Sequence, residues 1–173
     1  MRIIEKPFKG EFPPYAMIYI KLLPDDGRLL EHLRNNFITT KKLILSLPDE
    51  KLYFKYQADK WTIKEILVHI IDDERIYAYR AMRFARNDKT PLPGFEQDDY
   101  VIHSCANQRS IENIFEEFEA VRNSTITLLN GLPENSFLSV GTANNNQATV
   151  RALGYHIAGH ELHHINIIKE KYL

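Results

Sequence analysis

The sequence predicts an all-α protein, a four-helix bundle with long connections, and three observations carry that prediction. Apolar residues recur at helical spacing over four separate stretches, with polar residues on the opposite faces. Helix start and stop signals bound those stretches. No stretch shows a convincing alternation of apolar and polar residues of the kind a half-buried strand needs. With 173 residues and no repeat, low-complexity tract or change of composition, the chain is expected to form a single domain over residues 1–173 with an ample core.

Residues 1–26 carry Pro7, Gly10, Pro13, Pro14 and Pro24, a density that disfavours a long helix. They read as an N-terminal arm packed on the bundle, with Tyr15 to Leu23 either short helix or extended. The first long helix is expected over Gly27 to Ser46, capped by Asp25 or Asp26, with Leu30, Leu33, Phe37, Ile44 and Leu47 inward and Pro48 just beyond its end. Residues 48–60 connect it to the second, Thr62 to Arg86, which opens on the capping box Thr62-Ile63-Lys64-Glu65. Ile63, Ile66, Leu67, Ile70, Tyr77, Ala78, Ala81 and Phe84 form its apolar stripe. His69 lies on the flank of that stripe and Glu74 within it.

A long connection, 87–108, follows, with Pro91, Pro93 and Gly94; such loops tend to be functional or to cross the fold. The third helix is expected over Ser110 to Asn130, with Ile111, Ile114, Phe115, Phe118, Val121, Thr125, Leu128 and Leu129 buried, and Gly131 and Pro133 ending it. Residues 132–148 form a second long connection. The fourth helix begins near Thr149 and runs to the C-terminus. Two long connections out of three argue against simple up-and-down hairpins.

The fourth helix holds the unusual chemistry. Leu153, Ile157, His160, His164 and Ile168 share one face at helical period, so two imidazoles one turn apart point into the core. His160-Glu161-Leu162-His163-His164 also spells H-E-x-x-H, the zinc-peptidase pattern. A metzincin extension needs a glycine and a histidine where Ile167 and Glu170 stand, and only nine residues follow His164, so a third ligand has to come from upstream. In a bundle, a metal site is built from side chains on facing helices. His69 on the second helix is the natural third ligand, which places the metal site between helices two and four.

Three histidines leave an open coordination position, as catalytic sites do, and a metal so held can turn a water into a nucleophile near neutral pH. Imidazole suits zinc, nickel, iron and copper alike. His156, one turn before His160, competes as a ligand, although successive i+4 steps drift around the helix. Glu161 is the candidate catalytic residue, as general base or as hydrogen-bond partner to an imidazole. A carboxylate facing solvent or an interface is the bland alternative. Asp73 and Glu74 could hold a ligand's far nitrogen, or pair with Arg80, and the structural pairing is the stronger reading. His32, His103 and Cys105 read as ordinary surface or loop residues.

Composition excludes several classes. The net charge is −1 with no basic run, so nucleic acid is not an expected partner. No apolar run approaches the roughly 20 residues of a membrane span, so no membrane partner is expected either. One cysteine precludes an internal disulfide and the N-terminus lacks an apolar signal core, which together suggest a cytoplasmic protein.

Several segments in this order resemble the DinB-like (DinB/YfiT) superfamily. They are Lys60-Trp61-Thr62-Ile63-Lys64-Glu65 leading to His69, then Asp72-Asp73-Glu74-Arg75, Arg80 to Arg86 and Pro91 to Phe95. Glu119-Ala120-Val121-Arg122 and Gly159 to Ile165 complete the set. The resemblance implies a four-helix bundle of unusual connectivity, often a homodimer, with one divalent metal, commonly zinc or nickel, on three histidines matching His69, His160 and His164. His156 departs from the pattern, which usually has an apolar residue there.

Some members resemble metal-dependent hydrolases and others thiol-dependent transferases, which join a low-molecular-weight thiol to an electrophile. The reading is therefore a metal-dependent enzyme acting on a small molecule, by metal-activated water or metal-activated thiol. A non-catalytic metal- or ligand-binding stress-response protein is the alternative. A structural dimer whose histidines satisfy one another is a third reading.

Overall fold

Residues 2–173 are described by a computed structural model. Four long helices make the bundle: α2 (Leu29–Leu45), α4 (Ile63–Ala85), α6 (Ile111–Gly131) and α7 (Val150–Ile167). Short helices α1 (Met17–Ile20), α3 (Asp49–Leu52) and α5 (Gln97–His103) lie in the arm and the connections. The long helices fall within a residue or two of the expected bounds because their caps are local chemistry. Thr62 accepts from the Glu65 amide at 3.1 Å while the Glu65 carboxylate accepts from the Thr62 amide at 2.7 Å, closing the capping box at the head of α4. Ser110 and Thr149 cap α6 and α7 with their hydroxyls alone, accepting from the Asn113 and Ala152 amides. At α2 the expected cap differs: Arg28 is the N-cap residue, and Asp26 accepts from its amide rather than from inside the helix. The last turn of α7 widens into a π-helical stretch, Ile168–Tyr172.

The connectivity of the bundle positions the site. α4 packs against α6 and α7, and α2 packs against those same two helices. The first two long helices, α2 and α4, therefore stand diagonally, and α7 enters between them as the neighbour of both. This arrangement sets His69 on α4 beside the histidines of α7.

The second long connection is more ordered than its sequence suggests. β1 (Val140–Ala143) and β2 (Asn146–Thr149) form an antiparallel hairpin with Val140 opposite Thr149 and Ala143 opposite Asn146. Asn144 and Asn145 turn it, both at positive φ (47° and 60°), as a tight two-residue hairpin loop requires. Strands of four residues are too short for alternation to stand out, so the expectation of no strands fails here.

The arm lies on α7: Tyr155 donates to the Ile4 carbonyl at 2.9 Å, the Thr149 amide to the Glu11 carbonyl at 2.9 Å, and Arg151 pairs with Glu11.

The core is split in two. One apolar cluster gathers Leu29, Leu33, Phe84, Leu129, Leu153 and Ile157; the other gathers Phe37, Ile44, Leu67, Phe115, Phe118 and Ile168. Between them lies a buried polar layer drawn from all four helices: Thr40, Asp73, Glu74, Arg122, Thr125, His160 and Glu161. A buried polar layer costs stability unless its members satisfy one another, so its contacts are informative.

Candidate metal centre

His69, His160 and His164 come together. His160 Nε2 lies 3.1 Å from His69 Nε2 and 3.0 Å from His164 Nε2, and one nitrogen from each ring falls within 4.8 Å of the others. His69 and His160 are each 4% exposed, and His164 is half-buried. Burial pushes the pKa of all three below the ordinary imidazole value, His160 well below it and His164 to about 3, with Asp73 opposing the shift at His69 and His160. Neutral imidazoles with lone pairs converging on one point are a metal-ligand donor set.

Behind the triad stands Asp73, one turn after His69 on α4. Its Oδ2 lies 3.3 Å from His160 Nδ1 and 3.3 Å from His156 Nε2. Burial raises its pKa, but His160, His156 and His69 outweigh that and hold it at about 2. His160 thus turns one nitrogen to the triad and the other towards a carboxylate, in a charge contact without hydrogen-bond alignment on the side from which a ligating imidazole is oriented. His156 is not aimed at the triad; its ring stacks flat on Tyr77 with centroids 3.7 Å apart and its Nε2 faces Asp73. Tyr19, from the arm, sets its ring against His156, His160 and His163 in turn, and Trp61 packs 4.8 Å from His69.

Glu161 sits elsewhere in the polar layer. Fully buried, it accepts from Thr40 Oγ1 at 2.7 Å, and its Oε2 lies 2.8 Å from Arg122 Nη1 in a close charge contact without hydrogen-bond alignment. Burial raises its pKa against the pull of Arg122. It neither faces solvent nor contacts a histidine, so its setting is that of a structural carboxylate rather than a general base. Arg122 also binds Glu74 through Nε (3.0 and 3.1 Å) and Nη2 (2.7 Å), and donates to the Leu33 carbonyl. The expected pairing of Asp73 or Glu74 with Arg80 is replaced by Asp73 with the histidines and Glu74 with Arg122.

The sequence carried one unused signal for this. Arg122 stands on the stripe of Phe118, Thr125 and Leu129, where a charge needs an internal partner. His32 contacts Asp26, His103 bonds the Asp99 carbonyl, and Cys105 is exposed, as expected of surface and loop residues.

An open cleft of about 340 Å³ reaches the triad at His164. Tyr56, Trp61 and Tyr172 supply aromatic walls, and Asp59, Lys60 and Asp98 supply charge. Tyr172 is fixed there by donating to the Trp61 carbonyl at 2.6 Å. A profile of the DinB superfamily matches residues 32–168, a span that includes all three histidines.

The chain belongs to the DinB superfamily.

A relative from Oceanobacillus iheyensis, named "putative metal-dependent hydrolase", is 29% identical over 126 residues, 72% of each chain. Among solved structures, YfiT from Bacillus subtilis aligns with a TM-score of 0.68 at 14% identity, covering 95% of this chain and 92% of that one. It is described as "a probable metal-dependent hydrolase with an unusual four-helix bundle topology". That match shows the fold of this DinB protein, in which α2 and α4 stand diagonally. None of its described helices is long and apolar enough to cross a membrane.

Proposed function

We propose that the protein is a metal-dependent hydrolase of a small molecule, with one divalent cation held by His69, His160 and His164. The observation that carries the reading is the convergence of three imidazole nitrogens within 4.8 Å, from helices far apart in sequence, at the end of an open cleft. The donor set suits zinc or nickel, and also iron. A cation bound there supplies Lewis acidity, enough to make water a nucleophile near neutral pH.

The chain's own residues do the rest. Asp73 fixes the His160 ring through Nδ1. Trp61 packs on His69 and forms the cleft wall against which a substrate lies. Thr40 and Arg122 hold Glu161, and with it the turn of α7 that carries His160. Glu161 is therefore a positioning residue in this mechanism rather than a general base. The relative's name favours water over a thiol as nucleophile.

The test begins with metal content by plasma mass spectrometry, on tagless protein never exposed to nickel resin. About one metal per chain is expected, lost in both His69→Ala and His160→Ala. A panel of ester and amide substrates is then assayed with and without a low-molecular-weight thiol. Turnover without thiol supports hydrolysis, and turnover that requires the thiol replaces it with transfer. Stoichiometric metal with no turnover on any substrate would leave a binding protein. Protein that holds no metal, even after dialysis against zinc or nickel, would end the proposal.

A further inference from the structure

A second pocket, of about 270 Å³, lies between α4 and the segment that leads into α5. Arg75, Tyr79, Arg80, Phe95 and Tyr100 are its chemically distinctive walls, and no carboxylate lines it. None of the residues assigned to the metal centre takes part in it.

Arg80 is its centre. The residue is 5% exposed, yet among the described residues it forms no ion pair. The other buried arginines are neutralised: Arg122 by Glu74 and Glu161, Arg151 by Glu11. Of the five N–H donors on the Arg80 fork, one bond is recorded, Nη2 to the Pro93 carbonyl at 3.1 Å. The fork lies over two aromatic rings, 5.0 Å from the centroid of Tyr77 and 6.0 Å from that of Phe95. Cation–π contact on that scale only partly offsets the cost of burying a charge without a counter-ion. The Arg80 fork therefore keeps free donors on the wall of an open pocket, where an anion can meet them.

The pocket is built rather than incidental. Leu92 pairs with the hairpin in both directions, its amide donating to Thr142 and its carbonyl accepting from Asn144, each at 3.0 Å. Gly94 sits so close to Asn144 that a Cβ there would lie 2.6 Å from its Oδ1. The loop carrying Pro93 and Phe95 is thus fixed against β1 and its turn. Arg75 brings no second free charge, because Glu117 and Asp72 already engage it. One free guanidinium fork beside flat aromatic walls matches one carboxylate on a flat apolar body. The volume falls just under the usual range of ligand pockets, which limits that body to about one ring.

We propose that the Arg80 pocket binds a small organic monocarboxylate, with the carboxylate on the Arg80 fork and an aromatic or apolar body against Tyr79, Phe95 and Tyr100.

The experiment titrates full-length, metal-stripped, ¹⁵N-labelled protein with benzoate, benzyl alcohol and inorganic phosphate, following the Arg80 Nε–H resonance by NMR. Saturable benzoate binding is expected, at least tenfold tighter than benzyl alcohol and tenfold weaker in Arg80→Gln. Tyr100→Ala, on the rim, should weaken benzoate without removing its advantage over the alcohol. His160→Ala should leave benzoate affinity unchanged, which separates this pocket from the metal centre. Should Arg80→Gln fail to fold, the comparison of benzoate with its uncharged analogue on wild type still decides. Equal binding of benzoate and benzyl alcohol, undiminished benzoate binding in a folded Arg80→Gln, loss of benzoate binding in a folded His160→Ala, or phosphate binding tighter than benzoate would each overturn the proposal.

Discussion

Replacing Arg122 by methionine should destabilise the protein by about 3–5 kcal/mol, the cost of removing one partner from a buried ion pair. The losses are specific. Three bonds to Glu74 go, at 3.0, 3.1 and 2.7 Å, together with the contact to Glu161 at 2.8 Å and the bond to the Leu33 carbonyl. Methionine keeps an unbranched apolar stem of similar reach, so the cavity contribution is small and the electrostatic one dominates. Glu161, whose pKa burial already raises, can take up a proton and so limits the loss towards the lower bound. In a domain of this length each kcal/mol shifts Tm by about 2–4 °C, so a fall of about 6–20 °C is expected. Urea unfolding followed by circular dichroism measures it. A companion variant with Arg122→Met, Glu74→Leu and Glu161→Gln removes the charges together and should recover part of the loss, because an intact buried ion cluster rarely outperforms an apolar replacement. A loss below about 1 kcal/mol in the single variant, or a companion less stable than it, would refute the account of the layer as a mutually dependent ion network.

Asp73→Asn should weaken metal binding by about 10–100-fold without changing the stoichiometry, the usual effect of removing a carboxylate behind a ligating histidine; competition with a chromophoric chelator reads it, and unchanged affinity would remove Asp73 from the site. Gly159→Ala should destabilise despite the better helix propensity of alanine, worth about 1 kcal/mol. Its Cβ would lie 2.3 Å from the Tyr19 carbonyl oxygen, a backbone atom that cannot rotate aside, and overpacking typically costs about 1–3 kcal/mol; thermal unfolding no lower than wild type would show that α1 yields freely. Asp26→Asn should destabilise at neutral pH and converge with wild type in acid. The Arg28 amide, then His32, lowers the Asp26 pKa from 3.8 to about 2, so its contribution is complete above the unfolded value and disappears as pH falls through the folded one. A difference in Tm that is undiminished at pH 2 would contradict that assignment.

The long helices and the His160–His164 pair were legible in the sequence for the same reason: both follow from helical period alone, whereas His69 needed the argument from facing helices. A capping box at Thr62 and an i, i+4 pair at His160 and His164 are statements about neighbours, and neighbours along a helix need no knowledge of the fold. The partner of each inward charge was not legible. Glu74 and Arg80 share α4 and seemed natural counterparts, but which charge meets which depends on the diagonal stance of α2 and α4, and period carries no information about that. Glu161 suffered most. Its place beside His160 in H-E-x-x-H suggested a base, but one step along a helix turns a side chain by about 100°, away from the triad and towards Arg122 on α6 and Thr40 on α2.

That rotation explains why two polar systems coexist in one layer. On α7, adjacent residues His160 and Glu161 point to different neighbours: His160 to α4, where His69 and Asp73 wait one turn apart, and Glu161 to α2 and α6. On α4 the pair Asp73 and Glu74 divides the same way, Asp73 to α7 and Glu74 to Arg122. Two consecutive acid-bearing or histidine-bearing positions on each of two helices thus build a histidine–carboxylate contact and an ion cluster side by side. The ion cluster binds α4, α6 and α7 at the level of the triad, with the Leu33 carbonyl drawing in α2. Weakening that cluster should therefore disturb the spacing of the histidine nitrogens although none of its members touches them.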